Sequence, residues 1–200
     1  IAEDDAFPAL AGGHAHYLDA SAIAAGENSA DPEARNSTVD SFVKSAEAYG
    51  KVWPVDAAYS WYAAGDIRHV AEDYTAAIPL QAAAFEAFQQ TEMFRDALNQ
   101  GFWLLEAYRM AERHDQAWGA LDRAVLLAQT LGPPADLGSL MIDKAWIAEA
   151  EGDNRLMRQA YEQSVEAYVR AEGVPEAIET CRRMVVSHLA NVDNEAARLS

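Results

Sequence analysis

The chain has 200 residues, half of them hydrophobic, with 11 Gly and 7 Pro, and alanine is abundant. Alanine loses no side-chain entropy in a helix, and eight Tyr, six Phe and five Trp are too much core material for a disordered chain. The 32 Asp and Glu outweigh 15 Lys and Arg, for a net charge of −17, which repels nucleic-acid phosphates and anionic membrane surfaces and attracts a basic partner.

Helical periodicity predicts helices near 3–25, 32–50, 55–64, 67–90, 96–112, 115–131, 136–150, 154–171 and 175–190, with a short piece after Asp193. Gly26, Gly65, Gly152 and Gly132-Pro133-Pro134 separate amphipathic stretches. Asp31-Pro32-Glu33 reads as an N-cap, a proline at the first helical position and an acid suited to the helix dipole. Pro79 is expected to kink the 67–90 helix or to restart it. No stretch alternates with period two for long enough to make a strand, and no uncharged run reaches the ~18 apolar residues of a membrane span. The single cysteine, Cys181, can form no internal disulfide and is expected to be a buried structural thiol. The chain begins at Ile1 rather than Met, which reads as a trimmed or processed protein.

Self-comparison shows a repeat. Asp96, Asp136 and Glu176 open helices 40 residues apart, and Phe88, Ala128 and Tyr168 recur at the same interval within the second helices. Such a period signals helix pairs that can bury their apolar faces only against neighbouring pairs.

Gly65-Asp66-Ile67, Val70, Tyr74, Ala77 and Ile78 fall at the spacings of the tetratricopeptide (TPR) signature, with Gly65-Asp66 as the turn. Gly152-Asp153-Asn154, Met157, Tyr161, Ser164 and Val165 repeat it, and Tyr108, Ala117, Leu121, Ala124 and Val125 fit between, with Glu112 in place of the turn glycine. The chain thus resembles the TPR family well over 51–171 and loosely over 5–50 and 175–200. It departs from the family in a period near 40 rather than 34. The Gly65-to-Glu112 step is 47, seven more than the period; seven residues are two helical turns and keep the apolar face in phase. The resemblance implies an all-α fold in which antiparallel helix pairs stack as a right-handed α-solenoid. The expected division is one domain over 1–200, with repeats near 5–50, 51–95, 96–135, 136–175 and a partial one over 176–200.

His14 and His16 diverge by about 200° on a helix and cannot share a metal, and no His-Glu-x-x-His, phosphate-binding Gly-rich loop or nucleophile elbow occurs. Asp66-x-x-His69 reads as a turn aspartate beside a surface histidine, and Glu3-Asp4-Asp5 and Glu72-Asp73 as solvated faces. No catalytic residue, metal or cofactor is expected.

In TPR arrays the first helix of each pair lines the concave surface where ligands dock. The resemblance therefore implies a groove of Tyr59, Tyr62, Phe102, Glu106, Arg109, Ile142, Trp146 and Glu149. Aromatic anchors flanked by acids suit a peptide or amphipathic segment, a basic one above all. The competing reading places these aromatics in the core between repeats and pairs Arg109 with Glu106 three residues away. TPR domains that grip a C-terminal carboxylate use converging Lys, Arg and Asn. The corresponding stretch offers Asn99 and Arg109 with Glu106 between them, which argues against such a clamp. The expected function is a non-catalytic, cytoplasmic interaction scaffold whose partner is a protein or peptide, with a homo-oligomer also open. The alternative is a ligand- or peptide-sensing regulatory module of a larger multidomain bacterial protein.

Overall fold

The computed structural model describes residues 31–50 and 52–199, with side chains to residue 190. The helix expected over 3–25, with His14, His16, Glu3-Asp4-Asp5 and the opening of the 5–50 repeat, lies outside the described residues. Among those described, eight helices and no strand are found: α1 (Pro32–Tyr49), α2 (Pro54–Val70), α3 (Tyr74–Gln90), α4 (Phe94–Met110), α5 (His114–Leu131), α6 (Pro134–Ala150), α7 (Asn154–Arg170) and α8 (Val174–Leu199). The fold is an all-α solenoid.

The helices are spaced with a regularity finer than the 40-residue period. From α2 onward they begin at Pro54, Tyr74, Phe94, His114, Pro134, Asn154 and Val174, a step of 20 each time. The caps explain the starts. The Asp31 carboxylate accepts from the Glu33 N–H at 3.0 Å, Asp73 from the Ala76 N–H at 3.3 Å and Asp153 from the Leu156 N–H at 2.9 Å. The third residues of α2, α4, α6 and α8 are Asp56, Asp96, Asp136 and Glu176, each an acid in the first turn where the helix dipole favours negative charge.

The stops are Schellman turns. After α2 the Asp73 N–H donates to the Arg68 carbonyl at 3.0 Å and the Glu72 N–H to that of His69 at 2.8 Å. The same pair of bonds closes α3, α6 and α7. Such a turn needs one left-handed residue. That residue is Gly152 after α6, but Glu72, Glu92 and Glu172 after α2, α3 and α7, and Glu112 takes the same conformation after α4.

These stops correct the expected register. Gly65 is buried inside α2, not in a turn, and α2 runs unbroken where helices ending at 64 and starting at 67 were expected. A Cβ at Gly65 would lie 2.8 Å from Gln81 Cγ and 3.2 Å from the Gln81 backbone nitrogen. The glycine therefore serves the close approach of α2 to α3. The turn before α3 is Glu72-Asp73, 40 residues ahead of Glu112, so the apparent 47-residue step vanishes. The counterparts of Ala117, Leu121 and Ala124 are Ala77, Gln81 and Ala84, all buried. Gly65→Ala is expected to cost about 1–2 kcal/mol in chemical denaturation, since the added methyl meets backbone as well as a side chain. An unchanged midpoint would show that the helices separate freely at this point.

Pro79 sits in the second turn of α3, which neither ends nor restarts there. Where a stop near 190 was expected, α8 continues past Asp193 to Leu199. Cys181 is exposed rather than buried, on the outer side of α8 beside exposed Ile178 and Val185. Among the described residues, no helix is long and apolar enough to cross a membrane.

The chain divides into two compact units, residues to Ala111 and residues from Glu112. In the first, α1 packs on α2, α2 on α3 and α3 on α4; in the second, α5 packs on α6, α6 on α7 and α7 on α8. Each core joins small residues to aromatics. In the second unit Tyr161, 5% exposed, fills a site walled by Ala145, Ala148, Met157 and Ala160. A Cβ at Gly138 would lie 3.1 Å from the Tyr168 ring, and the Ser164 hydroxyl donates to the Gly138 carbonyl at 2.8 Å.

Candidate functional site

In the first unit Tyr59, Tyr62, Phe88, Asp96, Asn99, Gln100, Phe102 and Trp103 surround an open cleft of ≈ 420 Å³. That volume lies toward the lower end of ligand pockets and suits a side chain or a short stretch of peptide. Helix α2 presents Tyr59 and Tyr62 one turn apart, α4 contributes five residues, and Phe88 comes from near the end of α3.

Packing fixes two of the aromatic rings. Tyr59 stands edge-on to buried Phe88, with centroids 5.1 Å apart at 77°. Trp103 stands edge-on to His69 at 5.0 Å and 80°, and Tyr74 meets the same imidazole at 5.1 Å. His69 is itself held: the Gln81 amide lies 3.1 Å from its Nδ1, and Glu106 lies 3.7 Å from its Nε2. With the Gln81 amide donating to Nδ1, the ring proton sits on Nε2 and faces the Glu106 carboxylate. The reading of His69 as a surface residue is thus corrected. It is 9% exposed and joins α2, α3 and α4 behind Trp103.

The cleft is acidic. Burial pushes the Tyr59 phenol above its ordinary pKa, and the Asp96 carboxylate raises it further by its charge and by hydrogen bonding. Burial does the same for Tyr62, with the charge of Asp66 adding to it. Among the described residues, no Lys, Arg or His lines the cleft. Gln100 is 2% exposed, and its Oε1 has no hydrogen-bond partner among the described residues.

Of the eight residues expected to form a groove, Tyr59, Tyr62 and Phe102 meet in this cleft. Glu106 and Arg109 lie further along α4 and pair with each other at 3.5 Å, so Arg109 already has a carboxylate partner. Ile142, Trp146 and Glu149 belong to α6 of the second unit, all half-buried. There the Trp146 ring packs edge-on to His114, with centroids 4.8 Å apart. Sequence reasoning missed Phe88, Asp96, Gln100 and Trp103 as lining residues. Phe88 and Asp96 had served only as markers of the repeat. Asp96, Asn99 and Trp103 do share one helical stripe at i, i+3 and i+7, the signal that could have gathered them. Among the described residues, no group of three His, Cys, Asp or Glu side chains could hold a metal ion.

No protein-family model and no curated protein matches the chain. Among solved structures, a Rap protein complexed with competence and sporulation factor matches 90% of this chain and 54% of its own, at 12% identity and a TM-score of 0.51. BtubC (BKLC) from P. vanneervenii matches 98% of this chain and 92% of its own, at 10% identity and a TM-score of 0.50. Likeness at these identities shows the fold, a helical-repeat solenoid. The chain spans about half the length of the Rap protein.

Proposed function

We propose that this protein is a non-catalytic interaction scaffold of TPR type that binds a peptide or helical segment of a partner in the Tyr59–Trp103 cleft. The observation that carries the reading is the open aromatic cleft of ≈ 420 Å³ held between α2 and α4. Tyrosine and tryptophan offer large, rigid contact area at low entropic cost, and such residues dominate binding energy at interfaces. The TPR assignment rests on the helix pairs repeating every 40 residues and on the buried small residues Ala77, Ala117 and Ala84, Ala124, Ser164 at matching positions. The Rap protein, complexed with a factor, supports a partner-binding role for this fold. A free, exposed Cys181 accords with a reducing compartment, so the cytoplasm is part of this reading.

One observation favours a second reading, a sensing or regulatory module of a longer protein: the Rap chain extends well beyond the part matched here. Both readings use the same cleft.

The test is capture of partners by the immobilised chain, compared with a Phe102→Ala/Trp103→Ala variant shown by circular dichroism to stay helical. Partners of the cleft should bind the variant about tenfold or more weakly, as for interface anchors. Equal capture by both proteins would move binding to another surface.

A further inference from the structure

The chemistry of the cleft narrows what it can take. Asp96, Asn99 and Gln100 stand at i, i+3 and i+4 on α4, so their side chains share one face of the helix. Asp96 is a half-buried carboxylate, and no Lys, Arg or His pairs with it among the described residues; its neighbour is the Tyr59 hydroxyl. Gln100 Oε1 is buried and has no donor among the described residues, a state that costs free energy until a donor reaches it. Around these acceptors stand five aromatic side chains, Tyr59, Tyr62, Phe88, Phe102 and Trp103. Aromatic faces attract cations, and a chain of net charge −17 draws them in. An anionic ligand would face the Asp96 carboxylate with no cationic side chain among the described lining residues to offset it. A purely apolar one would leave Asp96 without a counter-charge and Gln100 Oε1 without a donor.

We infer that the cleft is a receptor for the guanidinium of an arginine side chain carried by the partner peptide. Arginine fits better than lysine because its flat, weakly hydrated group stacks on rings while its fork of five N–H donors reaches several acceptors at once. Asp96 supplies the counter-charge, Gln100 Oε1 accepts one N–H, and the Tyr and Trp rings bound the slot. The inference rests on the cleft being the binding site and names what enters it.

The experiment titrates the whole chain with four blocked tripeptides that differ only in the central residue: arginine, citrulline, lysine or norleucine. Binding is followed through the side-chain amide NMR signals of Asn99 and Gln100. Citrulline keeps the shape of arginine without its charge. Arginine is expected to bind about tenfold more tightly than citrulline, with lysine weaker than arginine and norleucine weakest. Asp96→Asn should bring the arginine affinity down to that of citrulline while leaving citrulline binding in place. Gln100→Leu should lower the preference for arginine without unfolding the chain. Citrulline or norleucine binding as well as arginine would overturn the inference and leave the cleft standing as a neutral site. Lysine equal to arginine would overturn the choice of guanidinium. If no probe shifts the amide signals, the arginine site falls. Undiminished partner capture by Phe102→Ala/Trp103→Ala is the separate result that would remove the cleft as the binding site.

Discussion

Tyr161→Ala is expected to destabilise the second unit by about 3–5 kcal/mol, the range for emptying a large aromatic site in a core. The surroundings set the size of the loss. Ala145, Ala148 and Ala160 have no side-chain length with which to fill the space, so only Met157, with Leu156 and Met184 at the edge, could move into it. Tyr74→Ala supplies the contrast. Tyr74 is the first residue of α3, half-buried, and its ring contact is one edge of His69 at 5.1 Å. Its removal should cost about 1 kcal/mol, in the range of an aromatic pair beyond its buried area. Urea unfolding of both variants measures the difference. Equal losses would mean that Tyr74 fills a core site like that of Tyr161, as the sequence-based register requires, and that Gln81 does not.

Tyr74 and Tyr161 also show how much of the fold was legible. Periodicity and the 40-residue recurrence of Asp96, Asp136 and Glu176 gave the fold class and the spacing of helix pairs, because acids at the third helical position and small buried residues are dictated by local physics. The error entered at Gly65, read as a stop. Glycine is a strong turn signal, yet here it lets α2 approach the backbone of α3 at Gln81. Displacing the first signature by seven residues kept it on the same helical face, since seven residues are two turns, so the pattern still looked consistent. Asp56 would have exposed the slip, being one period before Asp96. The cleft was half legible for a related reason. Tyr59, Tyr62 and Phe102 follow from spacing along the first helices of pairs. Phe88 comes from a second helix, and Gln100 is a buried polar residue whose lack of a partner exists only in three dimensions. Trp146, one of the expected groove aromatics, was placed by spacing alone, and its edge contact with His114 depends on how α5 packs on α6.

The turn residues lead to the second large effect, a gain. Replacing Glu72, Glu92, Glu112 and Glu172 together with glycine is expected to stabilise the chain by about 2–4 kcal/mol. The four residues sit at φ 58, 59, 55 and 59°, a region where a Cβ crowds its own backbone at a cost of roughly 1–2 kcal/mol. All four are exposed, so their side chains contribute little burial in return. Each also puts a carboxylate against the negative end of the helix it terminates. Glycine removes both penalties but gives back about 0.4–1 kcal/mol through the greater freedom of the unfolded chain, leaving a net gain per site of about 0.5–1 kcal/mol. Turns separated by whole helices should contribute nearly additively. Gly152 already shows the arrangement, at φ 77° with open space around the position of a Cβ, so Gly152→Ala should lose about 1 kcal/mol from backbone strain alone. Strain and charge can be told apart. The four replacements remove four of the 17 net negative charges, and relief of that repulsion fades in 1 M salt, where screening reaches ~3 Å. Relief of strain does not fade. A rise in melting temperature that persists at 1 M salt and is absent from the matching Glu→Ala set is therefore the expected result. A rise that vanishes with salt would assign the effect to charge and leave the left-handed glutamates without an energetic cost.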